Sequence, residues 1–229
     1  MYLGYESPTT LLLLVLGLAI TIIAQVFVKN TYNKYRVVGN KKGLTGFEVA
    51  RKILDKKGLT AVHVVEVKGL LTDHYDPRRK VVRLSTENFH GDSIASVSVA
   101  AHEVGHALQH KEGYIFMSLR SFIFPLASLG SRLGYFAVLI GLIFSWLELI
   151  TIGVVLLISI ILFELVTLPV EYDASAKARK NLEANKLLYK EEIKKANNML
   201  NAAALTYVAA VATSLLQILR LILMARDRD

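Results

Sequence analysis

The sequence predicts a mainly α membrane protein, with about four transmembrane helices and a small α+β domain at the cytoplasmic surface. Three observations carry that reading. The 229 residues are 53% hydrophobic and their mean hydropathy is +0.43, high for a soluble chain. Several uncharged runs are long enough to cross a bilayer. Basic segments also alternate with non-basic ones: residues 29–120 hold 16 Lys and Arg against 9 Asp and Glu, residues 171–202 hold 7 against 5, and the link Ser145-Trp146-Leu147-Glu148 has no positive charge. This is the pattern of the positive-inside rule. The excess of +8 is therefore assigned to membrane topology rather than to nucleic acid, for which no binding motif is present. With no cysteine in the chain, His, Asp and Glu are the strong metal ligands available.

Residues 1–229 read as a single membrane-integrated unit. Thr9 to Val28 is 20 residues without a charge, about 30 Å as a helix, which matches the hydrocarbon core. The start Met1–Glu6 has no basic residue, so 9–28 is read as a first span and not as a cleaved leader. Lys29, Lys34, Arg36, Lys41 and Lys42 follow, which puts the N-terminus outside and residues 29–120 inside. Within that region Thr45-Gly46-Phe47-Glu48 is a capping box. Phe47, Ala50, Ile53 and Leu54 form an apolar stripe, and Gly58 closes the helix. Ala61–Val67 reads as a strand, followed by a hairpin turning at Asp76-Pro77-Arg78-Arg79 and returning through Val81–Leu84. Gly91-Asp92-Ser93 starts a helix running to about Lys111. A second span lies within 121–147, broken early by Pro125 and carrying Arg132. A third covers 149–168. Residues 169–201 are a cytoplasmic helical segment, and 202–224 a fourth span.

The helix from Ser93 holds His102-Glu103-Val104-Gly105-His106. Histidines at i and i+4 lie on one face, one turn apart, and can converge on one zinc ion, while the intervening Glu can act as a general base on water. Ile94, Val97, Ala101, Val104 and Leu108 form an apolar stripe, and the histidines point roughly 140° from its centre. The helix therefore has a buried face and a separate ligand face. His110 continues the i+4 series but lies about 12 Å along the axis from His102, too far to share the ion. The remaining ligand is sought after the third span, in Leu168-Pro169-Val170-Glu171-Tyr172-Asp173-Ala174-Ser175, where Pro169 suits the opening of a new helix. Glu171 is the first candidate, with Asp173 and Glu164 as rivals. A solvated acid at a helix start would look the same.

Ala100–His110, Leu71-Thr72-Asp73-His74-Tyr75-Asp76-Pro77 and Leu168–Ser175 together resemble the YugP-like membrane zinc metallopeptidases. The resemblance covers most of the chain. That family is related to gluzincin proteases such as HtpX and the CAAX prenyl endopeptidases. The resemblance implies a gluzincin-like zinc metallopeptidase domain in a prokaryotic cell membrane, zinc as cofactor, and Glu171 as third ligand beside His102 and His106. Many gluzincins place an Asp four residues after the ligand Glu to orient the first histidine. Here that position is Ser175, with Asp173 two residues before it, which leaves the partner of His102 open between them.

The chemistry expected is peptide hydrolysis, with Glu103 as the base. Tyr207, His90 and His74 are candidates for stabilising the oxyanion. Val81–Ser85 is a candidate edge strand for an extended substrate. Arg132 and Glu164 are a candidate ion pair between spans. The expected partners are a protein or peptide substrate and the lipid bilayer; nothing in the sequence specifies an oligomeric state. A non-catalytic zinc-binding membrane adaptor is the alternative, and it predicts loss of the base or a ligand. A site-2-type intramembrane protease is the less favoured alternative. It would place the motif inside a span and supply a Leu-Asp-Gly-like segment, whereas here Asp92 and three serines precede the motif and Lys111-Glu112 follow.

Overall fold

A computed structural model describes residues 7–226, so the opening Met1–Glu6 lies outside the described residues. The chain divides into two units, one of Met1–Gln25, Ser118–Leu168 and Thr206–Asp229, the other of Val26–Met117 and Pro169–Leu205.

The first unit contains the apolar stretches of four helices long enough to cross a membrane. They belong to α1 (Pro8–Arg36), the run from α5 (Ile115–Leu129) to α6 (Tyr135–Ile143), α7 (Leu147–Ala184) and α8 (Lys190–Arg226). In α1 and α8 only 6% of the apolar window is covered by protein, as lipid-facing helices require. Pro125 does not end its helix. The irregularity falls one turn later, as a π-helical turn at Gly130–Gly134. Gly130 and Gly134 lie there against Leu156 and Leu157 of α7, with no room for a side chain at Gly130 beside the Leu156 carbonyl. Arg132 is exposed and makes no ion pair among the described residues, while Glu164 has Ser214 as hydrogen-bond partner, so the expected Arg132–Glu164 pair is not formed.

The second unit is built round α4 (Ile94–Glu112). Thr45 and Glu48 form the capping box of α2 (Gly46–Lys56), and Val49, Ala50, Ile53 and Leu54 are fully buried against the core. Val49 takes the place on that face expected of Phe47, which is only half-buried. A small sheet follows, of β1 (His63–Val67), β2 (His74–Asp76) and β3 (Val81–Ser85) in the order β1-β3-β2. The β2–β3 hairpin is antiparallel and closes on Asp76, whose Oδ1 accepts from the backbone of Arg78 at 3.0 Å and Arg79 at 3.1 Å. β1 runs parallel to β3, with His63 opposite Val81. β3 is thus the central strand, not an edge, and has no free side for an extended substrate. Alternation gives the reason: Val82 and Leu84 are fully buried, whereas the residues of β1 are exposed or half-buried. Asp73 ties the sheet to short α3 (Thr86–His90), accepting from Ser85 N at 2.7 Å and Asn88 Nδ2 at 2.9 Å.

α4 starts where backbone pairing holds it. Ile94 N donates to Val38 O at 2.8 Å and Asn40 N to Asp92 O at 2.9 Å. Ser93 caps the helix through Ser96 N at 3.0 Å, and left-handed Gly113 ends it. The apolar stripe is buried as its spacing predicts. The flanks of that stripe are buried too, where the small residues Ala100, Gly105 and Ala107 admit close neighbours.

The capping box yields a local test. Thr45→Ala removes a side-chain acceptor worth about 1 kcal/mol, so exchange of the first α2 amides should accelerate roughly fivefold. Hydrogen bonds from Thr45 hold the Glu48 carboxyl below its ordinary pKa. Its folded pKa is therefore lower than its unfolded one, and its contribution is complete above the ordinary carboxylate range and lost as pH falls through the lowered value. The exchange difference between wild type and Glu48→Ala should shrink over that acidic interval.

Candidate metal centre

His102 and His106 leave α4 one turn apart, with ring centroids 4.8 Å apart and planes at 84°. Glu171 reaches them from α7, which runs through Pro169 without a break, so Glu171 does not open a new helix. It is also no solvated acid, being 3% exposed. The two helices approach at Gly105, where a Cβ would strike the carbonyl of Ala174. That contact puts the carboxylate, less than one turn away on α7, between the imidazoles. Glu171 Oε2 lies 3.2 Å from His102 Nε2 and 3.6 Å from His106 Nε2. The ligand atoms of all three residues fall within 4.8 Å of one another. Of the rivals, Glu164 is in the other unit and Asp173 is not in the cluster.

The far side of each ring identifies the ligating atom. Gln109, wholly buried, donates from Nε2 to Val170 O at 2.7 Å and Asp173 Oδ2 at 2.9 Å. Its Oε1 is thereby turned to His106 Nδ1, 3.0 Å away, which must carry the proton. Nε2 of His106 is left with its lone pair toward Glu171. Ser175 Oγ lies 3.2 Å from His102 Nδ1, so Ser175 is the partner of His102, at the position the sequence left open. Asp173 instead serves His106 through Gln109, and is itself held by Lys177 at 3.2 Å. Gln109 was missed in the sequence. Its one visible signal is an amide three residues after His106, on the same side of the helix and just past Ala107-Leu108.

Lone pairs and a carboxylate that face one another repel unless a positive charge lies between them. A proton on Nε2 supplies such a charge when the imidazole is cationic, and the ring then donates to Glu171. Burial disfavours a charged His106, yet Glu171 and Glu103 outweigh it and raise its pKa. Burial works against ionised Glu171 too, but the hydrogen bonds from His102 and His106 lower its pKa overall. Two imidazole nitrogens and a carboxylate oxygen, backed by hydrogen-bonded partners, are the donor set of a three-ligand zinc site. Glu103, between the histidines in sequence, is 8% exposed. Its burial pushes the carboxyl pKa up, with His102 and His106 pulling the other way.

Residues 10–226 match a family described as "Putative neutral zinc metallopeptidase". The chain belongs to this family. Zinc is the metal the family implies, and the cluster fits it. Among curated proteins, the "Putative membrane protease YugP" of Bacillus subtilis is 44% identical over 211 residues, 92% of this chain and 94% of the relative. No solved structure matches the chain significantly.

The other residues singled out in the sequence lie elsewhere. His110 Nδ1 is 2.8 Å from the Tyr75 hydroxyl and has no part in the cluster. His74 is exposed, with Nδ1 2.8 Å from Thr72 O. His90 meets Glu66 at 3.2 Å. Tyr207 belongs to the unit of the spans, not to the one holding the cluster.

Two substitutions test this geometry. Gln109→Leu keeps the volume but removes the acceptor for His106 Nδ1–H, and should weaken zinc binding about 10- to 100-fold in chelator competition. Gly105→Ala forces α4 from α7 and should lower both zinc content and thermal stability, whereas Gly39→Ala, with nothing within 4 Å of its Cβ position, should leave zinc content unchanged.

Proposed function

We propose that this chain is a zinc-dependent endopeptidase that hydrolyses peptide bonds at the cytoplasmic membrane surface, with His102, His106 and Glu171 as ligands and Glu103 as general base. The convergence of three ligand residues from α4 and α7, two of them buried, carries the reading. The family match and the relative's name as a membrane protease support it. When bound, zinc supplies a Lewis acid that polarises the scissile carbonyl and makes water a nucleophile at neutral pH.

The chain's own residues do the rest. Glu103 follows His102 on the same turn, so its carboxylate faces the neighbourhood of the ligands. It takes a proton from the attacking water and passes it to the leaving amine. Burial favours a carboxylate that holds this proton between the two transfers. Gln109 and Ser175 fix the rings so that both Nε2 atoms stay aimed at Glu171. The basic excess of residues 29–120 and 171–202, which include the whole cluster, supports the cytoplasmic side as its location and the outside for the N-terminus. A non-catalytic zinc-binding adaptor would need the ligands but not the base, and no observation favours it.

The decisive measurement pairs zinc content with cleavage of casein or a peptide by the purified full-length protein. Glu103→Gln should keep its zinc and lose about 10²- to 10⁴-fold in cleavage rate. His102→Ala and Glu171→Ala should lose both. Cleavage that survives Glu103→Gln would refute the mechanism, and wild-type protein that takes up no zinc would refute the site.

A further inference from the structure

Beside α2, in the unit that holds the metal cluster but sharing no residue with it, lies a cavity of about 450 Å³. Lys42, Lys52, Lys56 and Lys186 line it, and no acidic residue does. Lys52 and Lys56 are one turn apart on α2, where two like charges repel. Lys42 and Lys186 come from separate parts of the chain and are tied together, the Lys42 ammonium donating to the Lys186 carbonyl. The same ammonium stands 5.3 Å from the centre of the Tyr189 ring. Lys186 adopts left-handed backbone at φ 50°, which is unfavourable for a lysine. The Lys42 ammonium and the Lys186 backbone are thus placed by the fold, and all four lysines are exposed.

A second observation points the same way. Asn185 also lines the cavity, and its Nδ2 is buried with no hydrogen-bond partner. A buried N–H group without an acceptor is unfavourable and calls for explanation. Every polar side chain around the cavity offers donors, and the lysines can offer nothing else. The complement is an anion rich in acceptor oxygens. A phosphate group has three such oxygens and close to two negative charges at neutral pH. The volume leaves space for the group that carries it, against Leu44 and Leu187.

We propose that this cavity is a binding site for a phosphate-bearing anion, held by the four lysines and by the amide of Asn185. The phosphate can come from a free solute or from a lipid headgroup, and the two sources are separable. Full-length protein in phosphatidylcholine nanodiscs is titrated with inorganic pyrophosphate by calorimetry. In parallel, lysine acetylation is mapped by mass spectrometry with pyrophosphate added, and again in phosphatidylglycerol nanodiscs without it. A free solute predicts saturable binding, weakened at least tenfold in Lys52→Gln/Lys186→Gln and in Asn185→Leu. Lys194→Gln/Lys195→Gln, which removes the same charge from exposed positions of α8, should leave it unchanged. A headgroup predicts protection of Lys42, Lys52, Lys56 and Lys186 in phosphatidylglycerol discs and not in phosphatidylcholine discs. The labelling is read on wild-type protein, so it stands even if a variant fails to fold. The proposal is overturned if neither probe protects these lysines, if the Lys194/Lys195 control weakens binding equally, or if only an acidic peptide such as polyglutamate protects them.

Discussion

Glu171 is a carboxylate with 3% of its surface exposed, and such a group is tolerated only where positive charge or hydrogen bonds replace its water. Here the replacement is a pair of imidazoles on another helix. That pairing works only because α4 and α7 pass almost in backbone contact at Gly105 and Ala174. Move the helices apart by the width of a methyl group and the carboxylate loses both histidines while still being buried. The crossing therefore sets the position of the ligands, and the remaining features of this unit hold it in place. Ser93 and the Val38–Asn40 segment seat one end of α4, Lys177 bridges Glu112 and Asp173 near the other, and the buried residues of α2 pack against its flank.

The helices, the capping box, the hairpin turn and the two-histidine face were legible because each is a local pattern, written within a dozen consecutive residues. Glu171 was legible only as one of several acids near a span's end. What singles it out is a contact across 69 positions of sequence, which spacing does not encode and which the family resemblance supplied. The misreadings share a cause. Proline removes a backbone donor, which predicts breaks at 125 and 169, yet both prolines lie inside continuous helix, as proline in a spanning helix can. Val81–Ser85 is a candidate edge in the sequence because it comes immediately before the helix of the histidines. Its parallel pairing with β1 depends on the return path of the chain, which the residues of β3 alone do not specify.

The polar residues behind the histidines show a similar division. The position expected to orient His102 carries Ser175 instead of an acid, and the hydroxyl is placed to do so. The acid that is present, Asp173, acts one residue removed, through an amide that belongs to the helix of the histidines. Both rings are thus backed by neutral groups, Ser175 and Gln109, and the negative charge near the ligands is concentrated on Glu171 and Glu103. A dication at this centre would meet one carboxylate directly, that of Glu171, with the charge of Glu103 close by.

Gly105 gives the five-residue motif a meaning beyond its polar letters. Written as a pattern, positions 104 and 105 are blanks that any amino acid may fill. In the folded chain Val104 is fully buried in the core and Gly105 is the surface on which α7 rests. The blanks are as constrained as the letters, one by the volume it must occupy and the other by the volume it must leave empty. Transplanting the three polar residues to another helix would therefore carry over the chemistry without the shape that gives it a third ligand.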